Sequence, residues 1–159
     1  EKISGKYHAL HRPSTSEFGQ PEMWIAESPD LLAWGNHRRL MGVREDSWDS
    51  GRIGGGAVPF RVEQGWLEIY HGATKDHQYC LGAVLLDGHE PSRVLARSNE
   101  PILAPEADYE LAGFFGNVVF TCGVILDDGK VKVYYGASDT CMAYAEVSLG
   151  SIMRSLEWI

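Results

Sequence analysis

Apolar and polar residues alternate along three stretches of the chain, each led by a glycine: GKYHALHR from Gly5, GWLEIYHG from Gly65 and GKVKVYYG from Gly129. A period of two gives a strand one apolar face, so each stretch predicts a β-strand entered through a turn. A second apolar run follows each after a short gap: MWIAES, YCLGAVLL and MAYAEV. Two copies also show the strand that leads into the turn, GGAVPFRVEQG and NVVFTCGVILDDG, which makes them β-hairpins. Asp128-Gly129 is a strong turn signal and Gln64-Gly65 a weaker one, because glycine readily supplies the positive φ such turns require. SRVLARS adds an outer strand, and helical periodicity is confined to LGSIMRSLEWI at the C-terminal end.

The three lead glycines are offset by 60 and 64 residues, and the sixth residue after each is His11, His71 or Tyr135. Hairpin, third strand and outer strand make a unit of about 60 residues, the pattern of a β-propeller blade with long connections. The fold class expected is all-β, in one domain spanning residues 1–159. Four glycines, Gly51, Gly54, Gly55 and Gly56, crowd the stretch WDSGRIGGGAVPF. Neither dinucleotide nor P-loop spacing is present and no helix follows, so a phosphate-cradling loop is excluded. GGGAVP reads instead as an innermost strand, where backbones approach closely and side chains must be small. Trp24, Trp34 and Trp66 are expected to fill the spaces between blades.

Composition narrows the function classes. The 159 residues are 44% hydrophobic and 23% charged, with a formal net charge of -8, ordinary for a folded domain. No basic run is present, which argues against nucleic acid as a partner. No stretch of 18 apolar residues and no charged start followed by an apolar run is seen, so neither a membrane span nor a signal peptide is expected. The first residue is Glu, and the chain opens directly in a strand pattern, as a segment lacking what preceded it would. Cys80, Cys122 and Cys141 form an odd set without C-x-x-C spacing. They read as buried free thiols in a reducing, cytoplasmic setting, and no metal site or organic cofactor is expected.

The ordered motifs GKYHALHRP, WIAESPDLLAWGNHR, WDSGRIGGGAVPF with GWLEIYHGA, GFFGNVVFTCG and VYYGASDT resemble glycoside hydrolase family 130, the β-mannoside phosphorylases and related β-mannosidases. The resemblance covers nearly the whole chain. It implies a five-bladed β-propeller and cleavage of a β-mannosidic bond by inorganic phosphate as co-substrate, giving mannose 1-phosphate with inversion. The family's HRP motif falls on His11, Arg12 and Pro13, which implies that His11, with Arg12 as the less certain neighbour, holds phosphate. Cationic donors suit a dianionic nucleophile that must be held in line. YYGASD resembles the segment whose aspartate contacts the mannosyl ring, which puts that role on Asp139; the alternative is a turn aspartate bonded to its own backbone. Asn117, Asp49 and Arg52 are further substrate-binding candidates at the entry to innermost strands. His71 and Tyr70, at the repeat position of His11, either line the sugar site or pack. Glu106, Asp108 and Glu110 lie in an inter-blade segment and are not expected to be catalytic.

Inverting cleavage also needs a general acid. In the family this is an aspartate in an E-D-P-R-like segment of the N-terminal half, and neither it nor the lysine before the HRP strand is found here. REDS at Arg44 to Ser47 lacks the proline and lies in the wrong blade. The acid is therefore expected upstream of Glu1, with the chain corresponding to about half of the blades at the C-terminal end. Two other readings stay open: a β-mannosidase of the same fold, and a non-catalytic carbohydrate-binding module. Either way, unpartnered blade faces predict self-association or pairing with a missing N-terminal half.

Overall fold

The structure is a computed structural model that describes residues 1–14 and 16–159. In chain order its strands are β1 (Tyr7–His11), β2 (Met23–Ser28), β3 (Gly35–Met41), β4 (Arg52–Gly54), β5 (Phe60–Val62), β6 (Gly65–Ala73), β7 (Tyr79–Leu86), β8 (Val94–Ser98), β9 (Val119–Asp127), β10 (Lys130–Ala137), β11 (Cys141–Ser148) and β12 (Leu156–Trp158). Two short helices, α1 (Asp108–Leu111) and α2 (Leu149–Ser155), join them. The strands form three antiparallel sheets with the orders β1-β2-β3, β12-β8-β7-β6-β4 and β11-β10-β9, and β5 pairs with β6 beyond β4. The all-β expectation is met, and the two expected hairpins are β5–β6 and β9–β10.

The second sheet is buried on both faces, which explains the near-continuous apolar runs of β6 and β7. On one face Leu67, Ile69, Leu81 and Leu85 pack with Val131, Val133 and Tyr135 of the third sheet. On the other, Ile53, Tyr70, Val84 and Leu86 meet Met23 and Met41 of the first. The outer face of the third sheet stays open: Ile125, Tyr134, Met142 and Tyr144 are exposed there.

Turn chemistry explains two of the lead glycines. Asp128 and Gly129 have φ of 46° and 72° and join the paired residues Asp127 and Lys130. Ser4 and Gly5, at 51° and 83°, do the same between Ile3 and Lys6. Positive φ at both loop positions is the type I′ pattern that matches strand twist. Gln64-Gly65 is different: Val62 pairs with Gly65, so Glu63 and Gln64 form the loop and the glycine is already in β6. It is required there because a Cβ would strike the carbonyl oxygen of Leu86.

Three other expectations are corrected. The innermost strand stops at Gly54, and residues 55–59 run irregularly to β5. LGSIMRSLEWI is helical only to Ser155; Ser148 caps α2 by accepting from the Ser151 N–H, and Leu156–Trp158 then joins the open edge of β8 as a strand. A free sheet edge offers backbone partners that outweigh the weak propensity of a terminal helix turn. Trp34 is exposed in a surface turn, its indole N–H donating to the Leu31 carbonyl 3.1 Å away, rather than filling a space between sheets.

Candidate functional site

β1, β6 and β10 all finish at one end of the molecule, and β4 and β9 begin there, so the segments after His11, Ala73 and Ala137 gather around that end. Glycines allow the close approach. At Gly54 a Cβ would lie 2.7 Å from the His71 ring and 3.1 Å from the Arg12 guanidinium. At Gly51 it would meet the Thr74 carbonyl, and at Gly56 the Ile69 carbonyl and Thr121. The glycine cluster therefore serves close packing at the inner strand, as its position suggested.

Arg12 donates from Nη1 to Nε2 of His71 at 3.1 Å and to the Ile53 carbonyl at 3.4 Å. His71 is buried, and burial together with the adjacent Arg12 charge pushes its imidazole down to about 4. It is therefore the neutral acceptor for Arg12 at pH 7. Phe120 of β9 lies against His71 with ring centroids 4.4 Å apart, and Tyr79 lies 6.2 Å beyond. Arg52, the first residue of β4, donates to the Tyr79 hydroxyl at 3.0 Å and lies 2.9 Å from Nδ1 of His77. Among the described residues neither Arg12 nor Arg52 has a carboxylate partner.

Arg52, His77, Tyr79, Phe115, Phe120 and Asp139 line a cleft of about 430 Å³. Asp139 stands in the turn after β10, where it and Ser138 have φ of 50° and 47°. The turn is locked from below. Ser138 donates to the Glu110 carbonyl at 2.5 Å and its N–H to that of Val118, while its own carbonyl accepts from the Phe115 N–H. A left-handed backbone at non-glycine residues persists only when its surroundings over-determine it. Asn117 also has positive φ, 60°, at the entry to β9; its carbonyl accepts from the Tyr79 N–H and its side chain is exposed.

The remaining candidates fall elsewhere. His11 is turned away from Arg12, because successive strand residues face opposite sides; its Nε2 lies 3.1 Å from Nδ1 of His37 on β3. Partial burial and then the His37 charge lower its pKa. Asp49 and Tyr70 are fully buried and do not reach the cleft. Asp49 accepts from Arg44, from Arg97 at 2.5 Å and from the Tyr70 hydroxyl at 2.9 Å, so its oxygens are already committed. Burial alone would raise its pKa, but Arg44 and Arg97 outweigh it and hold the carboxyl below its ordinary range. Burial likewise drives the Tyr70 hydroxyl far up. Both residues tie the segment between β3 and β4 to the second sheet. Glu110 is buried too, receiving the N–H groups of Glu106 and Ala107 and the Tyr135 hydroxyl, which fits the structural reading of that segment. Of the cysteines only Cys80 is buried; Cys122 and Cys141 are exposed, and all three are free thiols.

Sequence reasoning missed Tyr79, His77, Phe115 and Phe120. Phe120 reads as core in an alternating strand, and the signal that could have found it was its place directly after the Asn117 turn.

Residues 1–158 match the family model of glycoside hydrolase 130, that of β-1,4-mannooligosaccharide phosphorylase. The chain is 52% identical over 157 residues to a β-1,2-mannobiose phosphorylase of Listeria innocua, covering 99% of this chain and 44% of that protein. It is 43% identical over 152 residues to a 1,2-β-oligomannan phosphorylase of a Thermoanaerobacter species, covering 96% and 49%. The solved complex of the Listeria innocua enzyme with β-1,2-mannobiose superposes with a TM-score of 0.95 over 98% of this chain and 44% of the other. The chain thus spans about half the length of the curated relatives it matches.

Proposed function

The chain belongs to the glycoside hydrolase 130 family, and from that premise we propose that it is the phosphate- and sugar-holding portion of a β-mannoside phosphorylase with a five-bladed propeller fold. Full-length, the enzyme joins a phosphate oxygen to the anomeric carbon of a terminal mannosyl unit. The bond to the leaving sugar breaks, its oxygen takes a proton from a general acid, and mannose 1-phosphate leaves with inverted configuration.

The observation that carries the reading is the pair of guanidinium groups without carboxylate partners among the described residues, Arg12 and Arg52, at the end where Asp139 and the rings of Tyr79, Phe115 and Phe120 line one cleft. In a chain of net charge -8, uncompensated cations at one spot favour an anionic ligand. Arg12 and Arg52 hold phosphate; Asp139 accepts from vicinal mannosyl hydroxyls; Tyr79 and Phe120 pack the apolar sugar face. His71 fixes Arg12, and Asn117 shapes the turn that brings Phe120 to the cleft. His11, carried over from the family motif, acts on phosphate only if its ring leaves His37.

Among the described residues Asp139 is the one carboxylate lining the cleft, which supports a proton donor from outside these residues and a chain that is inactive alone. The reaction requires no metal or organic cofactor. The open apolar face of the third sheet supports self-association or pairing with a further half, and the three free thiols support a cytoplasmic setting.

The test is incubation of the full-length gene product with β-1,2-mannobiose or a β-1,4-mannooligosaccharide, with and without inorganic phosphate. Phosphate-dependent release of mannose 1-phosphate supports the proposal. Phosphate-independent release of free mannose makes the protein a β-mannosidase, and no turnover of either substrate leaves a binding module.

A further inference from the structure

Arg52 opens β4 with its guanidinium in the cleft, and two neighbours fix it there. Nη1 donates to the Tyr79 hydroxyl at 3.0 Å, and the charge sits over the same ring, 5.7 Å from its centroid. Nη2 lies 2.9 Å from Nδ1 of His77. Arginine has donors and no acceptor, so this contact requires Nδ1 to be unprotonated and the His77 ring to be neutral. The guanidinium carries more N–H groups than these two partners take. It is therefore held at both terminal nitrogens while donors and the full charge remain for a ligand.

His77 is presented by a tight turn between β6 and β7. Its backbone is left-handed, with φ of 66°, a conformation that His, Asn and Asp adopt more readily than other side chains. The turn closes on Thr74: the Thr74 N–H donates to the Gln78 carbonyl, the His77 N–H to the Thr74 carbonyl and the Gln78 N–H to the Thr74 hydroxyl, each at 3.1 Å. It packs on the residue before Arg52, since a Cβ at Gly51 would lie 2.6 Å from the Thr74 carbonyl oxygen. Phe115 stands edge-on to the imidazole with ring centroids 6.3 Å apart. His77 is exposed and belongs to neither apolar core, so burial does not account for it. The same turn carries Asp76, which among the described residues makes no ion pair with Arg52. The turn thus offers Arg52 an imidazole and keeps the neighbouring carboxylate away, and a carboxylate in that place would neutralise the charge.

We propose that His77 is a positioning residue for phosphate, a neutral acceptor that orients the Arg52 guanidinium without discharging it. The inference rests on the reading of Arg52 as a phosphate ligand and adds the group that aims it. His77 does to Arg52 what His71 does to Arg12: in each case an imidazole nitrogen receives a guanidinium N–H, at 2.9 Å and 3.1 Å. The two differ in setting, because His71 is buried in β6 and His77 stands on a surface turn that side-chain substitutions can probe without opening a core. Asparagine at position 77 keeps both requirements, an uncharged acceptor on a short side chain and tolerance of positive φ. Aspartate keeps the acceptor and the backbone but adds a negative charge.

The experiment is phosphate kinetics of the full-length gene product with β-1,2-mannobiose, alongside thermal melting of each variant. His77→Ala should raise the phosphate KM about 3- to 10-fold, with a smaller effect on kcat. His77→Asn should stay within about twofold of the unsubstituted enzyme, and His77→Asp should raise the KM more than about tenfold, because its carboxylate competes with phosphate for Arg52. In an Arg52→Ala background, His77→Ala should add less than about twofold, since its action passes through the guanidinium. A His77→Asp enzyme no worse than His77→Asn overturns the proposal, as do effects of His77→Ala and Arg52→Ala that multiply in full. A drop in melting temperature shared by the Ala and Asp variants makes His77 a structural turn residue and overturns it too. Arg52→Ala with an unchanged phosphate KM overturns the phosphate role of Arg52 and this inference with it, whereas a loss at Arg52 with indifference at His77 overturns the inference alone.

Discussion

Two pairs of arginines in this molecule end in opposite states. Arg44 and Arg97 converge on the buried Asp49 where the segment after β3 meets the second sheet; there the carboxylate and the Tyr70 hydroxyl satisfy one another and Arg97 adds a bond to the Gly42 carbonyl. Arg12 and Arg52 reach the open end of the same sheets, and among the described residues their partners include no carboxylate: the His71 and His77 rings, the Tyr79 phenol and the Ile53 carbonyl. The first arrangement is saturated and serves cohesion. The second keeps unspent charge beside Asp139, which is what recognition of an anion requires. A carboxylate and an arginine within one motif, WDSGR, are sent to these two fates three residues apart.

Removing the centre of the saturated cluster should break the molecule most severely. Asp49→Ala strands the buried Arg97 guanidinium and removes a partner of the partly exposed Arg44, and is expected to cost about 3–5 kcal/mol of unfolding free energy, lowering the midpoint of a urea titration read by tryptophan fluorescence more than any other substitution considered. Retention of most of the stability would show that the cluster carries little of the cohesion between sheets.

The next largest effect concerns pH. Glu68 has a folded pKa of about 8, above its unfolded value of 4.5. Its contribution is therefore complete below pH 4.5 and lost as pH rises through 8, a loss on the order of 3–5 kcal/mol when the shift is converted directly. Glu68→Gln should flatten the fall in urea midpoint between pH 5 and 8.5. A midpoint in the unsubstituted chain that does not decline over this window means the carboxyl is not held neutral.

At the unsaturated cluster the effects should fall on ligands, leaving stability nearly unchanged. In the full-length enzyme Arg12→Ala is expected to raise the phosphate KM by about 10- to 100-fold, the loss of a charge-assisted bond of about 1.5–3 kcal/mol, with His11→Ala having the smaller effect. If His11→Ala is the more damaging, the histidine leaves His37 in the working enzyme and the ranking drawn from this geometry is reversed. Asp139→Asn should lower mannoside turnover by about tenfold while melting within a few degrees of the unsubstituted protein; unaltered mannoside binding by calorimetry would leave Asp139 a turn residue only.

The smallest expected effect is at the neutral histidine. His71 should show imidazole NMR shifts of the uncharged ring down to pH 5, since its folded pKa near 4 lies below the unfolded value of 6.5. The stability linked to it is present above pH 6.5 and is lost as pH falls toward 4. Titration of this ring near 6.5 would mean that Arg12 is not its partner.

By itself the sequence determined the strands, because alternation is a local property, visible wherever one face of a strand is buried. It also set two of the hairpin turns, since Ser4-Gly5 and Asp128-Gly129 place residues tolerant of positive φ between matched strands. The family motifs carry Arg12, Arg52 and Asp139, which the fold gathers at one end of the sheets. Which members of those motifs reach the cleft was decided by tertiary structure. Asp49 and Arg52 read alike along the chain, yet Asp49 lies in the turn before β4, where Arg97 and Tyr70 of the second sheet enclose it, while Arg52 opens the strand at the cleft end. The same holds for His11 and Arg12, whose roles turn on the partners that β3 and β6 bring to them, and for Leu156–Trp158, which becomes a strand because β8 offers an edge more than fifty residues back in the chain. Those partners are distant in sequence, and no local pattern records them.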